Sequence, residues 1–151
     1  MFLNFENKAE LLSKLKSLKV DQQPEWGIMT PQHMVEHLIV TTKISNGGLS
    51  VPCKIPAEQI PQYKAFILES YQEMRQGIKA NGMEGLLDLR YASLEASIEK
   101  LEEEIDKFNA YFEENPEAKI TNPVLAEIGY EDWKTFHKKH FTHHFKQFSL
   151  M

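Results

Sequence analysis

The sequence predicts an all-α fold, an antiparallel bundle of four or five helices forming a single domain over residues 1–151. Three observations predict it. Apolar residues recur at helical spacing in several windows, no segment shows convincing strand alternation, and moderate loops rich in Pro, Gly and Asn separate the windows. Composition agrees: 42% of the residues are hydrophobic and 11% aromatic, enough to bury a core and to exclude a disordered chain.

Glu6 to Val20 reads as the first helix, with Leu11, Leu15 and Leu18 on one face and Asn4 as a candidate N-cap. The stretch from Asp21 to Gly27 breaks it. Thr30-Pro31 then opens the second helix, a capping hydroxyl followed by proline at the first helical position. Asn46-Gly47-Gly48 should stop it after Ser45. Pro52, Pro56 and Pro61 forbid a long helix between Leu49 and Pro61. Gln62 to Gln76 is a further candidate helix, and Gly77, Gly82 and Gly85 punctuate a loop after it. Tyr91 to Glu114 carries the clearest pattern. Leu94, Ile98, Leu101, Ile105, Phe108 and Phe112 are spaced 4, 3, 4, 3, 4, the seam of a bundle helix. Asn115-Pro116 ends it, Asn122-Pro123 opens a short connection, and Gly129 precedes a last helix over about Glu131 to Phe148. Residues 91–117 hold nine acids and two lysines, and residues 129–151 hold four lysines and two acids. These two helices either attract as neighbours or present separate solvated faces.

Lys and Arg number 17 against 22 Asp and Glu, and a net charge of −5 disfavours a general nucleic-acid binder. The apolar runs are too short for a transmembrane helix. The start MFLNFENKAE has no basic leader segment, so no secretory signal is expected. The one cysteine, Cys53, excludes an internal disulfide and fits a reducing cytoplasm. In its proline-rich loop it reads as a small loop residue rather than a nucleophile.

The six histidines fall in two places: His33 and His37, then His137, His140, His143 and His144. His140 and His144 are one turn apart on one helix face, a spacing that lets two imidazoles reach a common ion or simply pack as a pair. Trp133, Phe136 and His137 continue that stripe, which reads as the buried one, while Lys138, Lys139 and Lys146 read as a solvated face. On the second helix His37 shares a core stripe with Met34, Leu38 and Thr41. His33 sits in the exposed first turn, and a His33–His37 pair is the alternative. A bundle joining the two helices would assemble His37, His140 and His144, three neutral ligands with a fourth position open. Glu36 is expected to face solvent. Trp26, Trp133, Phe136 and Phe148 read as packing residues rather than a substrate-binding aromatic box.

The segment from Trp26 to Leu38, WGIMTPQHMVEHL, resembles the opening motif of a branch of the DinB/YfiT-like superfamily. The segment from Asn122 to Phe148 is similar to that branch's closing motif, with His140, His143, His144 and Gln147 matching its HxxHHxxQ ending. The resemblance implies an up-down four-helix bundle, to which the reading along the chain adds an extra short helix and loop insertion. It also implies a nickel or zinc-like divalent ion on His37, His140 and His144, and often a homodimer. Some members resemble metal-dependent transferases or isomerases that use a low-molecular-weight thiol. Two positions depart from the pattern: Phe145 stands where arginine is frequent, and Asn122 where histidine is common.

From these residues two functions are expected. One is a metal-dependent enzyme, a hydrolase or thiol-dependent transferase acting on a small molecule. Its ion would activate water, with a pKa brought toward about 7, or an external thiol. The other is a non-catalytic metal-stabilised helical binding or dimerisation module. Gln147, one turn past His144, is a candidate to support a ligand from behind, or else a plain helix-end amide. His143 and His137 are expected as supporting or surface neighbours. Segments 49–61 and 77–90 are the expected cover over the site.

Overall fold

The computed structural model describes residues 1–77 and 85–151. Among them the chain forms five α-helices, two short helical turns and one two-stranded sheet. It is mainly helical, as the apolar periodicity predicts.

Helix α1 spans Lys8–Lys16, shorter than the expected Glu6–Val20. Its N-cap is Asn7, whose side chain accepts from Glu10 N, and not Asn4, whose side chain bonds Glu6 N instead. At the other end Ser17 Oγ donates to Lys14 O and closes the helix, although Leu18 beyond it stays buried.

Helix α2 spans Pro31–Ser45 and begins and ends where the sequence predicts. Thr30 lies in extended backbone, its hydroxyl accepts from His33 N, and Pro31 takes the first position, where a missing N–H costs nothing. Thr30→Ala is expected to lose about 1 kcal/mol, read as a melting temperature lower by roughly 2–4 °C for a chain of this size. At the far end Asn46 donates from Nδ2 to the main-chain and side-chain oxygens of Glu104, at 3.2 and 3.0 Å. That bond ties the end of α2 to the middle of the long helix beyond.

The middle of the chain differs most from expectation. In place of a helix over 62–76 there is a single 3-10 turn at Ala57–Gln59, then α3 at Ile60–Lys64, then a π-helical turn at Ala65–Glu69. Ser70 closes that turn: its N–H donates to Ala65 O and its hydroxyl to Phe66 O. Residues 70–76 have left the helix. The expected glycine-broken segment 77–90 lies partly outside the described residues, Gly82 included.

Helix α4 spans Leu94–Glu114, capped by Ser93, and all six residues of its predicted seam are buried. Its acids do not pair with the last helix. Lys8 of α1 takes Asp106 at 2.7 Å and Glu102 at 3.6 Å instead. Strands β1 (Ile120–Asn122) and β2 (Ala126–Ile128) follow as an antiparallel pair, in the register Ile120–Ile128, Thr121–Glu127 and Asn122–Ala126. This sheet is a small addition to a mainly helical chain, one that the all-α expectation does not include. The Asn122-Pro123 turn is real, with Asn122 Oδ1 accepting from Val124 N and Leu125 N, but it links strands. Helix α5 spans Tyr130–Gln147.

Helix α2 packs most extensively on α4 and also touches α5 and β1, while α1 lies on α4. The core gathers Leu11 and Leu15 of α1, Met34 and Leu38 of α2, the α4 seam, and Trp133, Phe141 and Phe145 of α5. No described helix is long and apolar enough to cross a membrane.

Candidate metal centre

Helices α2 and α5 bring His37, His140 and His144 together, although 103 residues separate His37 from His140. One nitrogen from each ring falls within 4.8 Å of the other two. His140 Nε2 is the shared vertex, 2.9 Å from His37 Nε2 and 3.1 Å from His144 Nε2. Tetrahedral ligation with nitrogen–metal bonds of 2.0–2.1 Å needs nitrogens about 3.3 Å apart, so the two short edges that meet at His140 have to open by a few tenths of an ångström to admit an ion. A set of three imidazoles suits a divalent transition-metal ion.

The environment keeps the three rings neutral. His140 and His144 are buried and His37 is half-buried. Burial, with a smaller push from His143, lowers His37 to about 4. Burial and the neighbouring imidazoles hold His140 and His144 well below the usual histidine range. A neutral imidazole is the ligating form.

Two further histidines serve other ends. His137, expected as a bystander, is completely buried among Phe5, Phe108, Trp133, Phe136 and Phe141. Its Nε2 lies 2.7 Å from Ser45 Oγ, its Nδ1 has no hydrogen-bond partner among the described residues, and burial pushes its pKa down to about 3. Residue numbers fall along α5, from His140 to His137, as they rise along α2, from His37 to Ser45. The two helices therefore run antiparallel, and the His137–Ser45 bond ties them together about one turn from His140 on α5 and about two turns from His37 on α2. His33 turns away from His37: Nδ1 meets Thr30 Oγ1 at 2.6 Å and Nε2 meets Leu87 O at 3.0 Å.

Gln147 stands behind His144, its Oε1 2.8 Å from Nδ1, while its Nε2 donates to Trp26 O at 3.0 Å. Thr41, on the His37 stripe, places Oγ1 3.5 Å from His140 Nδ1. His143 is half-buried beside the triad. Its ring centre lies 5.3 Å from that of Trp26 and 4.9 Å from that of His144. Burial lowers its pKa, opposed by the Met74 backbone and Glu73.

Two expectations are corrected. Glu36 does not face solvent: it is buried, and its carboxylate accepts from Arg90 N at 2.7 Å, Tyr91 N at 3.4 Å and Gln32 Nε2 at 2.9 Å. It holds the approach to α4 against α2. Lys139 is not on a solvated face: it is buried, with Nζ donating to Phe66 O at 2.7 Å. Its ammonium lies over the Phe2 and Phe66 rings, 5.7 and 5.4 Å from their centres. Lys138 and Lys146 are half-buried, the latter paired with Glu73 at 2.9 Å. Trp133, Phe136 and Phe148 are core residues, whereas Trp26 is half-buried beside His143. Cys53 is a half-buried free thiol.

Against protein-family models, curated proteins and solved structures the chain finds no match.

Proposed function

We propose that this chain is a divalent-metal-dependent enzyme of the DinB/YfiT-like kind, a four-helix bundle holding zinc or nickel on His37, His140 and His144. The reading is of a hydrolase or thiol-dependent transferase acting on a small molecule. The observation that carries it is the convergence of three neutral imidazole nitrogens, from two helices, on one point reached from the His37 side. Three adjacent imidazoles with no anion among them have little reason to be buried together unless a cation sits between them. A divalent ion bound there supplies Lewis acidity, lowering the pKa of a water or thiol brought to it. The chain's own part is to present three lone pairs, to exclude water on the α5 side, and to offer the Trp26 and His143 rings as one wall of the approach.

A second reading is a non-catalytic module stabilised by the same ion. It is favoured by Glu36, the carboxylate nearest in sequence to a ligand, being fully engaged with the backbone at residues 90 and 91. Elemental analysis of protein prepared without a polyhistidine tag tests both readings. Stoichiometric zinc or nickel, or stoichiometric uptake on titration, is expected. Protein that neither carries nor takes up a transition metal would rule both out. Stripping the ion then separates them: an enzyme keeps a cooperative melt, and a metal-stabilised module loses it.

A further inference from the structure

The hydrogen-bond wiring behind His144 determines where its proton sits. A carbonyl oxygen can only accept, so the bond from Gln147 to Trp26 O turns the amide nitrogen of Gln147 toward Trp26. That leaves Oε1 facing His144 Nδ1 at 2.8 Å, and Oε1 can only accept as well. The ring proton is therefore on Nδ1, and Nε2 carries a bare lone pair pointing at His140 Nε2.

The amide is held in this orientation. Gln147 is buried, and its main-chain oxygen accepts from Glu25 N at 2.7 Å, so the loop before α2 grips the residue twice. Gly27 presses on it from the same loop. Its φ is +80°, and a Cβ there would stand 3.0 Å from Gln147 Nε2. A glycine at this position lets the loop approach closely enough for the Trp26 carbonyl to reach the amide.

We propose that Gln147 is a positioning residue, set by the Trp26 carbonyl, that locks His144 in the Nδ1–H tautomer with Nε2 open for ligation. The proposal rests on the reading of the triad as a metal centre, but the lock itself exists without an ion. A free histidine favours the opposite tautomer, with the proton on Nε2, where it would block a metal. The wiring thus removes a tautomer change that ligation would otherwise require.

Nitrogen-15 NMR of chelator-stripped protein labelled at histidine reads the tautomer directly, and competition with a chromophoric chelator reads zinc affinity. In the unsubstituted protein His144 is expected as Nδ1–H. In Gln147→Met, which fills the same space without accepting, the Nε2–H form should appear and zinc affinity should fall about 10–100-fold. Nε2–H in the unsubstituted protein overturns the proposal, and so does a Gln147→Met protein with tautomer and affinity unchanged. A lock that is present and lost in Gln147→Met, in a protein that binds no zinc, supports this inference and refutes the metal centre. If Gln147→Met does not fold, the tautomer of the unsubstituted protein decides alone.

Discussion

His140→Ala is expected to weaken zinc or nickel binding by more than about 100-fold, since changing outer partners of a ligand alone costs 10–100-fold. His140 is the residue to choose because its Nε2 is the vertex that both other ligands approach. Without it, His37 and His144 remain as a two-nitrogen set from different helices, too open to hold an ion firmly. Calorimetric titration of stripped protein with zinc reads the loss directly. Binding at the unsubstituted affinity would remove His140 from the centre. The thermal shift on adding zinc should disappear with it, because stabilisation by a ligand follows occupancy.

Acidification should destabilise the stripped protein steeply. His37, at about 4, and His137, at about 3, remain neutral in the fold well below pH 6.5, as do His140 and His144, mainly because burial penalises the charged form. In the unfolded chain the same groups titrate near 6.5. Between those values the unfolded state binds more protons, so stability present above pH 6.5 is lost as pH falls toward 4 and 3. Each histidine contributes a slope of up to about 1.4 kcal/mol per pH unit. Denaturant unfolding at pH 7.5, 6 and 5 measures it, and a flat profile would contradict the burial of these rings. His137→Phe, which removes a titrating group outside the triad, should flatten the profile by one histidine's share. Loaded protein should hold its ion until the pH approaches about 4, where His37 takes up a proton within the fold.

What the sequence made legible had a local cause. The Thr30-Pro31 start, the α4 seam and the Gly129 boundary of α5 all depend on residues within a turn or two of one another. The grouping of His37 with His140 and His144 was legible because each lies on a stripe rich in apolar residues, and such stripes meet in a core. Features governed by distant partners were not legible. Glu36 is buried because backbone N–H groups at residues 90 and 91 come to it, and helix periodicity carries no trace of that. Lys139 looks in the sequence like its half-buried neighbour Lys138, yet a long apolar stem lets it reach the Phe66 carbonyl in the π-helical turn at Ala65–Glu69. The strands are three residues each, too short to display alternation. Gln147 is expected as a support behind His144, but the Trp26 carbonyl that orients its amide lies 121 residues away and leaves no sign in the helix pattern.

The span between His37 and His140 has a further mechanical meaning. An ion joining them would close a ring of about a hundred residues, reversibly and without a covalent bond. For a disulfide, a loop of that length restricts the unfolded chain by about 4–5 kcal/mol. With Cys53 as its one cysteine, this protein cannot make such a tie from sulfur. Its histidines offer a removable staple instead, one that acid opens and that neutral pH allows to close again.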